Sequence, residues 1–91
     1  MSITAEHIEK AIELAKEFGV KKLLLFGSAL TNPSIANDLD IGVSGISNSD
    51  FFIFAGKLED SIRVSVDLVP LEINDPFVDY IKIHGKYIYE S

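Results

Sequence analysis

The chain has 91 residues, 47% of them hydrophobic and none of them cysteine, which suits one domain over residues 1–91 and excludes disulfides and thiolate metal sites. Its formal net charge of −6 argues against direct binding to nucleic acid, because phosphate contacts need clustered Lys and Arg. No segment approaches the roughly 20 apolar residues of a membrane span and no signal peptide is recognisable, so we expect no membrane association and a cytoplasmic protein.

The N-terminal segment is predicted to form an amphipathic helix from about Thr4 to Phe18, because its apolar residues recur at helical spacing. Thr4 is a suitable N-cap, and Gly19 supplies the left-handed residue that ends a helix. The apolar run that follows, Val20 to Phe26, is typical of a buried strand covered on both faces.

A second strand is predicted from Leu39 to Val43, after a loop at residues 31–37 that is rich in turn formers. Side chains alternate along a strand, so Leu39 and Val43 lie on one face while Asp38 and Asp40 lie on the other. The sequence thus places two carboxylates on the face opposite the aliphatic residues.

The next helix is expected to be capped by Ser47, Asn48 or Ser49, and a third strand, Val64 to Val69, follows it. Asp67 interrupts this strand at a position where a core strand needs an apolar residue. A buried charge without a partner is costly, which points to a functional role for Asp67.

The C-terminal part is predicted to form a helix from Asp75-Pro76 to Gly85 and a short edge strand from Lys86 to Glu90. We interpret Tyr80 as a core residue and His84 as a surface residue. The alternation of helices and strands indicates an α/β (α+β) fold, a small mixed sheet with one helix layer packed on it.

The acids on the predicted strands form a candidate metal site. Asp38 and Asp40 have Cα atoms about 6.5 Å apart on one face, and Asp67 lies beside them if the third strand neighbours the second. Two such charges repel by roughly 2–3 kcal/mol at an effective dielectric constant of 20. This repulsion is tolerated when a cation such as Mg²⁺ neutralises it, or when the acids diverge into solvent.

Gly27 and Ser28 form a candidate phosphate site at the end of the first strand. Glycine allows the backbone to approach a phosphate closely, and the following amides and hydroxyl donate hydrogen bonds to its oxygens. A phosphate site beside metal-binding carboxylates provides the groups that phosphoryl or nucleotidyl transfer requires at a minimum.

The order of these motifs resembles the minimal nucleotidyltransferase family of the DNA polymerase beta-like superfamily. The motifs are Leu25-Phe26-Gly27-Ser28, nine residues, Asp38-Leu39-Asp40-Ile41-Gly42-Val43, and later Val66-Asp67-Leu68-Val69. The resemblance implies that Gly27 and Ser28 hold the nucleoside triphosphate. It also implies that Asp38, Asp40 and Asp67 bind two Mg²⁺ ions and are catalytic, with Asp67 helping to deprotonate the attacking hydroxyl.

The resemblance further implies transfer of AMP from ATP to a hydroxyl. Small stand-alone members are often antitoxins that modify a tyrosine of a helical HEPN toxin, so such a toxin is the expected partner. The sequence departs from the family after Gly-Ser, where Ala29-Leu30-Thr31-Asn32 replaces the usual arginines. A catalytically degenerate antitoxin that neutralises its partner by binding alone is therefore the alternative, and transfer to a small molecule or an RNA end is a third option.

Overall fold

A computed structural model describes residues 2–91, which form a four-stranded sheet with helices against both faces. The elements in chain order are α1 (Ala5–Glu17), β1 (Lys22–Phe26), α2 (Ser28–Thr31), β2 (Asp38–Ser44), α3 (Asn48–Ile62), β3 (Ser65–Pro70), α4 (Pro76–His84) and β4 (Lys86–Glu90). The strands lie in the order β3-β2-β1-β4. Strand β1 is antiparallel to β2 and β4, whereas β2 and β3 are parallel. The predicted α/β class and the mixed sheet are confirmed.

The main core lies between one face of the sheet and helices α1 and α3, which pack on each other. Phe18 and Phe54 join these helices through rings whose centroids are 5.3 Å apart. The fully buried or nearly buried sheet residues on this face are Leu23, Leu25, Leu39, Ile41 and Val43. The periodicity of the sequence therefore identified the main hydrophobic core.

A second, smaller core lies on the opposite face, where α4 packs against Leu24 and Phe26 through Val78 and Ile81. The prediction of one helix layer was wrong. The cause is visible in β1, whose four apolar residues from Leu23 to Phe26 alternate between the faces and are all buried. A strand that is apolar on both faces needs cover on both.

The predicted ends of the elements agree closely with the structure. The Thr4 hydroxyl accepts a hydrogen bond from the His7 amide and caps α1. Ser47 caps α3, and Asp75 caps α4 with Pro76 at its first position. Strand β1 begins later than predicted, because the Val20 amide still donates to the Ala15 carbonyl of α1 at 3.0 Å.

Strands β2 and β3 pair so that Asp40 stands opposite Asp67 and Asp38 opposite Ser65. Equivalent positions of two paired parallel strands project to the same face of the sheet, about 4.8 Å apart. The second and third strands are thus neighbours, which is the condition under which Asp67 lies beside Asp40. Among residues 2–91, no helix is both long enough and apolar enough to cross a membrane.

Candidate active site

The centre of the candidate site is the acid pair Asp40 and Asp67, on the face of the sheet that α4 covers in part. Asp40 is half-buried and Asp67 is exposed. The two residues stand opposite each other on the paired strands β2 and β3. The sequence placed these two acids on one face, and the structure brings them into contact.

The pKa of the Asp40 carboxyl is raised from 3.8 to about 6. Burial is the largest cause, followed by the hydrogen bond to Asp67, and then by the negative charges of Asp67 and Asp38. Each cause disfavours the ionised form of Asp40. A bound cation would reverse the balance, because it would neutralise the charges that now repel one another.

Asp38 lies two residues before Asp40 on the same strand and is exposed. It influences Asp40 through its charge rather than through a hydrogen bond. Within residues 2–91, no group of three or more His, Cys, Asp or Glu side chains is gathered closely enough to hold a metal ion. Of the three predicted metal ligands, Asp40 and Asp67 lie opposite each other on paired strands, and Asp38 lies two residues before Asp40.

The observed pair fits the chemistry of Mg²⁺. This ion is commonly bound by one or two carboxylates, and it completes its coordination with water and substrate phosphates. Asp40 and Asp67 stand opposite each other on paired strands, so a divalent cation could be bound between their carboxylates. The roles of Asp38, Asp40 and Asp67 as metal ligands remain a prediction.

Gly27 connects β1 to α2 and lies directly against Asp40. Its backbone has φ 69° and ψ −155°, and a Cβ atom built on it would collide with the Asp40 carboxylate. Any other residue at this position would push into the acid pair. The first turn of α2 begins at the next residue, Ser28, which is also exposed.

The short helix α2 spans Ser28–Thr31. The first amides of a helix have no intrahelical acceptor, so those of Ser28 and Ala29 are available to an anion. Thr31 and Leu30 instead donate their amides to the Gly27 carbonyl. This arrangement suits the predicted nucleotide-binding role of Gly27 and Ser28, which remains a prediction.

A cavity of about 580 Å³ opens beside these groups. Its volume is within the range of about 300–1,000 Å³ that small-molecule sites occupy. One end is polar and contains Asp40, Gly27 and Ser28, whereas the other wall belongs to α4. The lining residues are Phe26, Gly27, Ser28, Leu30, Thr31, Asp40, Phe77, Tyr80, Ile81 and His84.

The contribution of α4 to this cavity was not predicted. Tyr80 was interpreted as a core residue, but its side chain is 60% exposed and lines the cavity with His84. His84 is exposed as predicted, yet its ring packs against that of Tyr80 at a tilt of 38°, with centroids 4.3 Å apart. The spacing of these aromatic rings, four residues apart on one helix, was the available signal.

The profile of the family described as "Polymerase beta, Nucleotidyltransferase" matches residues 9–91. The chain belongs to this nucleotidyltransferase family. The match includes both Gly27–Ser28 and the three acids, so the resemblance seen in the sequence is confirmed at the level of the family.

Solved structures show the same nucleotidyltransferase fold. A MntA–HepT toxin–antitoxin complex matches with a TM-score of 0.74 and 22% identity, over 97% of this chain and 74% of that one. A toxin–antitoxin structure with AMP-PNP matches with a TM-score of 0.77 and 25% identity, over 92% of this chain and 73% of that one. A tri-AMPylated HEPN toxin in complex with its MNT antitoxin, from Shewanella oneidensis, matches with a TM-score of 0.74 and 24% identity. This match covers 94% of the present chain and 71% of that one. A comparison with curated proteins gives no match.

Proposed function

We propose that this nucleotidyltransferase domain transfers AMP from ATP to a tyrosine hydroxyl of a partner HEPN toxin, and that it thereby acts as an antitoxin. The observation that carries the proposal is the acid pair Asp40–Asp67 directly beside the Gly27–Ser28 turn. Two structural relatives support the choice of substrates, since one holds AMP-PNP and another accompanies an AMPylated HEPN toxin. We place this activity in the cytoplasm, where nucleoside triphosphates are made.

The residues divide into two groups by their proposed tasks. The amides at the start of α2 and the Ser28 hydroxyl bind the triphosphate, while Asp40 and Asp67, assisted by Asp38, hold Mg²⁺. When bound, the metal polarises the phosphoryl oxygens and stabilises the charge that develops on the leaving group. Burial of Asp40 against Gly27 keeps its carboxylate in one orientation, so the phosphate and the acids stay in register.

The transfer step forms one bond and breaks another. The tyrosine oxygen attacks the α-phosphorus, and the bond from this phosphorus to the bridging oxygen of the β-phosphate breaks, so pyrophosphate leaves. The hydroxyl proton goes to a carboxylate. We assign this role to Asp67, because its side chain is exposed whereas Asp40 is half-buried.

Transfer is tested directly with the purified complex of this chain and its HEPN partner. The complex is incubated with Mg²⁺ and ATP, and the toxin is weighed by mass spectrometry. We expect a gain of one or more adenylyl groups with the wild type and none with Asp40→Ala or Asp67→Ala. A matched control is Asp60→Ala, which removes an exposed carboxylate from α3 on the far side of the sheet.

Two results would contradict this proposal. Full transfer by Asp40→Ala would refute the assigned metal-binding role. Failure of the wild-type complex to transfer any adenylyl group, while the toxin is still neutralised, would refute the catalytic function itself.

One observation favours the alternative, a binding-only antitoxin. Among the described residues that line the cavity, none is Lys or Arg. The single arginine of the sequence, Arg63, lies at the end of α3. A triphosphate would therefore depend on backbone amides and metal for its charge balance, and its affinity would be lower than in a site that contains basic side chains.

The alternative has its own test in cells. If the antitoxin acts by binding alone, Asp38→Ala and Asp67→Ala will protect cells from the toxin as well as the wild type does. Loss of protection by these variants, with the complex still isolated intact, would exclude it.

A further inference from the structure

We propose that the adjacent rings of Tyr80 and His84 are the platform on which the nucleobase of the substrate lies. This inference rests on the proposed function, since it assigns the base-binding part of the same site. It goes beyond the motif residues, because neither ring belongs to the Gly-Ser turn or to the acids. It also gives α4 a role besides covering the sheet.

The cavity has one region suited to phosphates and one suited to a flat apolar group. Asp40, Gly27 and Ser28 form the first region, and the exposed face of α4 forms the second. Phe77 and Tyr80 are one turn apart on this face and are 50% and 60% exposed. Aromatic rings exposed to this degree next to a cavity have apolar surface available to a ligand.

The geometry of the two rings supports stacking. The ring of Tyr80 lies 4.3 Å from that of His84 with an interplanar angle of 38°, and both line the cavity. His84 therefore restricts the rotamers of Tyr80 on one side and leaves the other available. A side chain that is ordered before binding loses less entropy when a ligand stacks on it.

The support beneath this wall is rigid. The Phe77 ring meets Phe26 edge to face, with centroids 5.9 Å apart, and Ile81 is buried in the second core. Phe26 ends the strand that leads into Gly27. The platform and the phosphate site are thus fixed to the same strand end, which is the arrangement that a nucleotide spanning both regions requires.

Stacking also determines what selectivity to expect. Every nucleobase has an aromatic face, so a platform without hydrogen-bond readout discriminates weakly between bases and favours those with the larger rings. We therefore expect ATP and GTP to bind with similar affinity and UTP more weakly. Residues of a partner protein would then have to discriminate between adenine and guanine.

The test separates base binding from phosphate binding by means of two probes. Binding of ATP and of inorganic tripolyphosphate, each with Mg²⁺, is measured by titration calorimetry on the full chain. We expect Tyr80→Ala to weaken ATP binding about tenfold or more and to leave tripolyphosphate binding unchanged. Tyr80→Phe keeps the ring and should bind ATP like the wild type. The control is Ile83→Ala, which removes a 77% exposed side chain of the same helix that does not line the cavity.

A second measurement reports contact with the base. The chain has two histidines, so the ring protons of His84 are readily assigned by NMR after His7→Gln. A base stacked on the platform shifts the His84 protons upfield through its ring current. Tripolyphosphate has no ring and cannot cause this shift.

The outcomes distinguish a failure of the platform from a failure of the proposed function. The platform is refuted if Tyr80→Ala binds ATP as tightly as the wild type. It is also refuted if the variant loses affinity for ATP and for tripolyphosphate to the same extent. In either case the proposed nucleotide site is not contradicted. If the wild type binds neither probe, both are refuted. Selective loss of ATP binding, together with the upfield shift of His84 in the wild type, supports the platform.

Discussion

The backbone of Gly27 has φ 69° and ψ −155°, a combination that is essentially restricted to glycine. A side chain at this position meets the Asp40 carboxylate as well. We expect Gly27→Ala to lower the free energy of unfolding by about 1–3 kcal/mol and to displace Asp40. Urea unfolding and the thermal shift with Mg²⁺ and ATP measure the two effects.

Gly19 provides the control for this substitution. It also has φ 69°, but nothing lies within 4 Å of an added Cβ atom. Gly19→Ala should therefore cost about 1 kcal/mol and leave the response to Mg²⁺ and ATP unchanged. An equal loss of that response in both variants would show that the contact between Gly27 and Asp40 is unimportant.

Asp40 makes the stability of the metal-free protein depend on pH in an unusual direction. Its pKa is about 6 in the folded protein and 3.8 ordinarily, so the folded state holds the proton more tightly than the unfolded state. As pH rises between these values the unfolded state releases its proton first, and the free energy of unfolding falls. Ionised Asp40 thus destabilises the folded protein at neutral pH, until a cation relieves the repulsion.

Asp40→Asn tests this dependence. Above pH 6 the variant should be more stable than the wild type by on the order of 1 kcal/mol, after allowance for screening by solvent at a half-exposed group. Below about pH 4 the difference should vanish, because the wild-type carboxyl is then protonated in both states. Urea unfolding across this range in EDTA measures it, and a constant difference at all pH values would contradict the assigned pKa.

At the scale of the elements, the strand that carries Asp40 was the one that the sequence predicted best. From residue 38 to residue 43, Asp38, Asp40 and Gly42 alternate with three aliphatic residues, which fixed the two faces of the strand, and Asp67 repeated the pattern on β3. Period-2 alternation leaves little choice of orientation, because a shift by one residue would bury the charges. Both faces were therefore predicted correctly.

For helix α4 the sequence predicted the ends but not the face that packs on the sheet. Asp75-Pro76 and Gly85 marked its ends, but its nine residues contain apolar side chains on more than one side. Val78 and Ile81 are buried, whereas Phe77, Tyr80 and Ile83 are exposed. Periodicity cannot decide which apolar face packs on the sheet when a second face awaits a ligand or partner, and this is why Tyr80 was misplaced.

The cap of α4 links this element to the cavity. The Asp75 carboxylate accepts a hydrogen bond from the Phe77 amide at 2.7 Å. Asp75→Ala should lower the free energy of unfolding by about 1 kcal/mol. Since the first turn of α4 carries Phe77 on the cavity wall, the variant should also bind ATP more weakly, as titration calorimetry would show.

Ser47→Ala is the matched control, because it removes the cap of α3 on the other side of the sheet. The Ser47 hydroxyl accepts from the Asp50 amide at 3.2 Å, so a similar loss of stability is expected. ATP affinity should be unchanged. Equal weakening of ATP binding by both variants would mean that general instability, and not the position of α4, controls the cavity.

At the scale of the whole molecule, a small core must hold an acidic site together. A domain of this size commonly has a free energy of unfolding of about 5–14 kcal/mol. The sheet is stabilised from both faces, and the larger contribution comes from the layer of α1 and α3. The acid pair lies on the other face and destabilises the fold locally, so the stability of the site depends on the helix layer behind it.

Phe54 is the residue on which this dependence is best tested. It is fully buried between α3 and the sheet and contacts Phe18 of α1. Phe54→Ala should cost about 3–5 kcal/mol, a large part of the total, and should lower the stability of every element together. Phe52→Ala, two residues away and 79% exposed, should change the stability by no more than about 0.5 kcal/mol. Urea unfolding followed by circular dichroism, and by the NMR signal of His84 on the far face, would measure both variants. If the helices of Phe54→Ala unfold while the His84 signal stays native, the two faces are independent, and the acid site does not draw its stability from the main core.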